Sequence, residues 1–176
     1  MENKWGSNSL LVIVMGLPGS GKSYFAARLA NEIGATHLQS DKIRVHMGLK
    51  GKYSEADKNS VYKELCDQTK TLLENHKSVV VDATFHLDFY RRLFYAMADK
   101  INVPVITLLI EADEETVRER LKKQRKLSEA DYNTYLRLKE DFDPVLHPFL
   151  HLYSTDSNVD SMLNQTVNYL TIGNDR

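Results

Sequence analysis

The stretch VIVMGLPGSGKSYFAARL, residues 12–29, decides the fold, because three kinds of segment meet in it. The apolar run over 10–15 reads as a buried strand. A glycine-broken turn follows, and residues 22–33 then carry apolar side chains at helical spacing. The turn is Gly16-x-x-x-x-Gly21-Lys22-Ser23, with a third glycine at 19. A loop of this kind between strand and helix bends the backbone round an anion, so that N–H groups and the positive helix end face phosphate oxygens. Lys22 would reach the β and γ phosphates, and the Ser23 hydroxyl would ligate Mg²⁺. The nucleotide-binding set is therefore Gly16, Pro18, Gly19, Ser20, Gly21, Lys22, Ser23 and Tyr24, and the expected ligands are ATP and Mg²⁺.

Outward from this stretch the chain alternates. Residues 36–39, 79–82, 103–110 and 151–154 read as further short strands. Helical patterns fall at 54–76, 87–100, 113–126, 128–141 and 158–171, with Ser54 and Asp57 marking one start. Strand alternating with helix predicts a five-stranded parallel sheet with helices on both faces. No repeat, low-complexity segment or linker interrupts the pattern. The expectation is one domain over 1–176, an α/β three-layer sandwich of the P-loop NTPase type.

Composition narrows the class. At 176 residues and 42% hydrophobic the chain can bury a real core. The apolar run over 10–15 is too short to span a bilayer and the N-terminus lacks a signal-peptide pattern, so the expectation is a cytoplasmic protein with no membrane association. Cys66 is the single cysteine, which excludes a disulfide framework and a cysteine-rich zinc site; among Tyr62, Leu65, Thr69 and Leu73 it reads as a packed helix thiol. A net charge of −1 gives none of the basic bias of a protein that coats nucleic acid, although a local basic groove is compatible with it. No obligate protein partner is evident.

A phosphate loop alone does not separate a kinase from a GTPase, a motor or a sensor. The Asn-Lys-x-Asp base-reading motif of GTPases is absent. The second strand runs into LQSDKIR, which places Asp41 and Arg44 at the sheet edge where open parallel sheets bind ligands. A carboxylate there can accept the proton of an attacking hydroxyl, and an arginine one turn on can fork onto a phosphate. The spacing is equally that of a helix cap with Arg44 on the solvated surface. The third strand ends in VVVDATF, so Asp82 leaves an apolar run with Thr84 two residues on. Such an acid orients metal-bound water or a substrate hydroxyl, or serves as a turn aspartate.

GLPGSGKS, then SDKIR, then VVVDAT together resemble the P-loop kinases of the polynucleotide 5′-hydroxyl kinase-like group, and zeta-toxin-like kinases look similar. The resemblance covers most of the chain. It implies that Asp41 is a general base, that Arg44 binds the acceptor's phosphate, and that Asp82, with Thr84 beside it, lies near the acceptor or the metal. It also implies a helical lid after the fourth strand, at about 113–141, whose arginines fold over the triphosphate. Arg118, Arg120 and Arg125 are the candidates; Arg125 fits the family position best, and Arg120 and Arg125 are five apart where the family often has four. A solvated helix with a mixed charge face is the alternative for each.

Other residues read more plainly. The six histidines have surface or packing roles. YRRLFY, residues 90–95, reads as a core-facing stripe of Leu93, Phe94 and Met97 with Arg91 and Arg92 solvated, the alternative being a nucleotide clamp. STDSN, residues 154–158, lines an adenine pocket or caps a helix. The whole reads as an ATP-dependent phosphotransferase acting on a hydroxyl, whether a polynucleotide 5′ end, a nucleotide or a small metabolite. An ATP-hydrolysing switch acting through a partner is the alternative.

Overall fold

The computed structural model describes residues 9–122 and 130–174. The strand read first, β1 (Leu11–Met15), is buried at every position, which requires cover on both faces. It pairs with β3 (Val79–Asp82) on one side and β4 (Val105–Glu111) on the other. β2 (Thr36–Gln39) flanks β3 and β5 (Leu150–Tyr153) flanks β4. The order is β2-β3-β1-β4-β5, and every pairing is parallel.

Alternate residues of β1 feed different cores, as the strand period of two dictates. Leu11, Ile13 and Met15 pack with α3 (Glu55–Glu74) and α4 (Asp88–Lys100). Val12 and Val14 pack with α1 (Lys22–Ile33) and α7 (Val159–Asn174). The expected three-layer α/β P-loop fold, with a five-stranded parallel sheet and helices on both faces, is the fold observed. Cys66 lies within the α3 core, and burial pushes its thiol up to about 11, so it packs as a small apolar side chain.

Local chemistry explains most boundaries. Ser54 Oγ accepts from the Asp57 N–H and Asp57 Oδ2 accepts from the Ser54 N–H, a reciprocal cap that starts α3 where the sequence predicts. β4 begins two residues later than predicted, after Pro104, which has no N–H for a ladder; its carbonyl still accepts from Leu11 N. A seven-residue helix, α2 (Ser40–His46), was not anticipated as an element. Two turns are too few for a readable period.

The stripe predicted on α4 is corrected. Its buried face is Tyr90, Arg91, Phe94, Met97 and Ala98, while Leu93 is exposed. Arg91 is only 1% exposed, because Nη1 donates to the Phe85 carbonyl and Nη2 to those of Asp143 and Pro144. Arg92 is solvated as predicted and pairs with Asp88.

The region expected as a lid contains α5 (Glu114–Lys122) and α6 (Tyr132–Glu140), the latter capped by Asp131, whose side chain accepts from Thr134 N. α5 packs directly on the phosphate loop: a Cβ on Gly19 would lie 2.8 Å from Val117 Cγ1. Only a residue without a side chain admits that approach. Among the described residues no helix is long and apolar enough to cross a membrane.

The sheet order also fixes where a ligand can sit. The chain leaves β1 toward the β3 side and returns to the β4 side, so the crevice opens beyond the carboxyl end of β1. Gln39 and Asp82 are register partners, as are Asp82 and Val14, which brings the ends of three strands to that one edge.

Candidate active site

The loop between β1 and α1 is fastened at several points. Ser20 N donates to Leu17 O, and Gly16 N donates to the carbonyl of Thr84, tying the loop to the exit of β3. Gly21 has φ 90, and a Cβ there would meet Ser154 Oγ at 2.8 Å. The Ser20 hydroxyl is buried and has no hydrogen-bond partner among the described residues. Leaving such a group unpaired costs about 1–3 kcal/mol, which an anion held by the loop would relieve.

Two cavities flank this loop. One, of about 420 Å³, is walled by Gly19, Gly21, Tyr24, Arg120 and the segment after β5, with Val159 and Met162 behind. The other, of about 170 Å³, is walled by Pro18, Gln39, Asp41, Arg44, Asp82 and Thr84, among others. Lys22 and Ser23 line both, and among the described residues no other does.

The predicted acceptor-side residues therefore come together. Asp41 stands in the first turn of α2 and faces the smaller cavity. Arg44 is 8% exposed, so the solvated alternative does not hold; its Nη1 donates to Lys52 O at 2.5 Å and its guanidinium lies 4.5 Å from the centre of the Tyr53 ring. Asp82 is the last residue of β3, 1% exposed, rather than a turn aspartate. Neither of its carboxylate oxygens has a hydrogen-bond partner among the described residues, and His37 Nε2 is 3.6 Å from Oδ2.

The arginines of the expected lid divide. Arg120 donates to Asp156 Oδ1 through Nε and Nη2, and to Ser154 Oγ and Gly19 O through Nη1. It thus bridges the phosphate loop and the segment after β5, on the side of the larger cavity. Arg118 turns away, its Nη2 donating to Tyr132 Oη with the guanidinium over that ring. Arg125 lies outside the described residues. Of STDSN, Ser154 to Ser157 line the larger cavity, and the Asn158 side chain bridges Thr155 N and Tyr153 O, fastening the segment to itself rather than capping α7.

Lys58, His86 and Arg137 also line the smaller cavity, and sequence reading did not place them there. Lys58 lies on α3 and Arg137 on α6, each in an ordinary helical charge pattern with no local mark of a site. His86 is buried rather than on the surface, and its Nδ1 has no partner among the described residues. Burial, with the Lys58 charge acting the same way, lowers its pKa to about 4. Tyr62 closes the floor; it accepts from Phe85 N and stacks on Tyr90. Burial raises its phenol above the usual range. Among the described residues no cluster of three or more His, Cys, Asp or Glu side chains could hold a metal by itself.

A family model described as an AAA domain matches residues 11–145, from β1 to beyond α6. No curated protein matches the chain. Among solved structures, the APS kinase CysC of Mycobacterium tuberculosis in complex with AMPPNP and APS is 18% identical, with a TM-score of 0.73 over 93% of this chain and 98% of that one. A gluconokinase from Sinorhizobium meliloti 1021 is 15% identical, with a TM-score of 0.71 over 96% and 94%. Kti12 of Chaetomium thermophilum in complex with ADP-AlF3 is 16% identical, with a TM-score of 0.68 over 90% and 97%. At these identities the likeness establishes the fold. The family match spans well over half of the residues, and the chain belongs to the AAA domain family.

Proposed function

We propose that the chain is an ATP-dependent phosphotransferase that moves a γ-phosphoryl group to a hydroxyl acceptor. The observation that carries this reading is the sharing of Lys22 and Ser23 by the two cavities. A nucleoside in the larger cavity sends its phosphates along the loop to those two residues, at the threshold of the smaller one. Hydrolysis asks only for a water there. A cavity of about 170 Å³ is well beyond the roughly 10–15 Å³ that a single water needs, so it has room for more than a hydrolytic water.

The residues then divide the work. Asp41 accepts the proton of the acceptor hydroxyl as its oxygen bonds to the γ-phosphorus and the bond to the β–γ bridging oxygen breaks, releasing ADP. Lys22 and Arg120 hold the donor phosphates, and Arg125 is the second lid candidate. Arg44 and Thr84 face the acceptor. Ser23 and Asp82 fit Mg²⁺: one borders both cavities and the other is a buried carboxylate without a hydrogen-bond partner among the described residues. Mg²⁺ asks for only one or two protein oxygens when phosphates and waters complete its shell, and when bound it supplies charge neutralisation across the phosphates. The resemblance to polynucleotide 5′-hydroxyl kinase-like proteins supports the role given to Asp41. The likeness to an APS kinase and a gluconokinase supports the reaction class.

The test is transfer of labelled γ-phosphate into 5′-hydroxyl oligonucleotides, nucleosides and small hydroxylated metabolites, with Asp41→Ala alongside. Transfer should fall by about a hundredfold or more in the variant with ATP binding near normal. Release of free phosphate only, equal in both proteins, would instead identify an ATP-hydrolysing switch.

A further inference from the structure

We propose that the acceptor is a small hydroxyl compound carrying its own anionic group, a phosphate or a carboxylate, gripped by Lys58 and Arg137 together with Arg44, and that the groove beyond them turns polyanions away. The inference rests on the phosphotransferase reading and narrows its acceptor.

The first support is the charge of the smaller cavity. Lys22, Arg44, Lys58 and Arg137 face it against Asp41 and Asp82, an excess of two positive charges (four minus two) in a chain whose net charge is −1. His86 adds nothing at neutral pH, because burial keeps its imidazole uncharged. The donor phosphates take Lys22, while proton transfer and the metal take the two carboxylates. Three cations from three elements, α2, α3 and α6, are left with no role in handling the donor.

The second support is that two of these cations have no carboxylate partner, although several other cations of the chain do. Arg28 pairs with Asp160, Arg120 with Asp156, Lys122 with Glu119, and Lys139 with Glu114. Among the described residues, Lys58 and Arg137 have no carboxylate within ion-pairing distance. Like charges brought together at one cavity repel, and an anion bound there would offset the excess that Asp41 and Asp82 leave.

The third support is what lies past them. Lys58 and His86 also line an open groove of about 870 Å³, so the two spaces adjoin through these residues. The groove presents Glu55, Glu140, Asp141 and Asp143 against Lys58 alone, an excess of three negative charges (four minus one). Asp143 is fixed there, its Oδ2 accepting from Asp88 N at 2.7 Å. A strand threading its 5′ end toward Asp41 through this groove would lay its following phosphates against those carboxylates. Like charges in contact oppose binding and slow encounter. The sign change between cavity and groove therefore selects an anion small enough to stay inside.

The experiment compares ribose 5-phosphate, gluconate, ribose and a 5′-hydroxyl oligonucleotide in the wild-type protein and in Lys58→Gln and Arg137→Gln. An anionic sugar should be the best acceptor, and whether the phosphate or the carboxylate is preferred names the group. Each substitution should raise its KM about tenfold or more while the KM for ATP moves less than about twofold. Calorimetric binding of the same compounds to protein saturated with AMPPNP and Mg²⁺ separates this idea from the reaction itself. Binding of an anionic sugar that both substitutions weaken supports the anion grip even if no label is transferred. Equal or better binding of ribose or the oligonucleotide, or indifference to both substitutions, overturns it. Glu140→Gln with Asp141→Asn should strengthen oligonucleotide inhibition about fivefold, and no change there overturns the rejection of polyanions.

Discussion

Arg120 Nη1 donates to the carbonyl oxygen of Gly19 across 3.3 Å, so a helix a hundred residues downstream is fastened to the phosphate loop by a charged hydrogen bond. The same nitrogen reaches Ser154 Oγ, and the rest of the guanidinium faces Asp156. Arg120→Ala removes all three links and a positive charge lining the larger cavity. The expected result is a loss of ATP affinity of about tenfold or more, read by titration with AMPPNP. Asp156→Asn should change it by less than about threefold, since Asp156 is 86% exposed and such pairs contribute little. Equal effects of the two changes would mean that Arg120 acts only through Asp156.

Gly21 carries the second prediction. Its φ of 90 disfavours any side chain, and a methyl group would stand 2.8 Å from Ser154 Oγ and 3.2 Å from Arg120 Nη1. Gly21→Ala should cost about 1–3 kcal/mol in a urea titration and displace Arg120 from the loop. Combined with Arg120→Ala, it should lower AMPPNP affinity by less than the two single effects together, because both act through one guanidinium.

These contacts show where sequence reading reaches and where it stops. The strand, the phosphate loop and the capping box at Ser54 are written in adjacent residues, because turn geometry and periodicity are local properties. Asp41, Arg44 and Asp82 are legible as a group because parallel strands deliver their carboxyl ends to one edge. The burial of Arg44 is another matter, since it depends on the Lys52 carbonyl and the Tyr53 ring, which its own helix does not supply. Arg137 and Lys58 look like solvated helix residues until α6 is set across the cavity from α3. His86 is set apart from the other histidines only by a fold that buries it between them. Charge and hydrogen-bonding type were visible in each case, and the partner was not.

Arg91 gives the strongest stability prediction. Its guanidinium is buried and serves three carbonyl oxygens, of Phe85, Asp143 and Pro144, while Nη2 also lies 3.4 Å from Asp88 Oδ1. These bonds hold the turn at Phe85, whose φ of 51 is unusual for an aromatic residue. Arg91→Leu should destabilise by about 3–5 kcal/mol, because it leaves three buried carbonyl acceptors without their charged donor. Arg92→Ala removes only an exposed partner of the same Asp88 and should cost less than about 1 kcal/mol. Chemical denaturation of the two variants side by side checks the contrast.

His86 makes stability depend on pH in a defined window. An ordinary histidine titrates near 6.5, whereas burial pushes His86 down to about 4; Lys58 and Arg91 act in the same direction, and Asp141 and Asp143 oppose it. Between those two values the unfolded chain holds a proton at this residue that the folded chain does not. Stability therefore rises with pH across the window, is fully present above about 6.5, and is lost as the pH falls toward about 4. The contribution is at most about 3–4 kcal/mol, the shift from 6.5 to about 4 multiplied by about 1.4 kcal/mol per unit. His86→Asn cannot take up that proton, so its Tm should fall less than that of the wild-type protein between pH 7 and pH 5. Parallel Tm profiles for the two proteins over that range would mean that His86 already titrates normally in the folded chain. It would then carry charge in the smaller cavity below neutral pH, and binding of gluconate there would tighten as the pH falls through about 6.5.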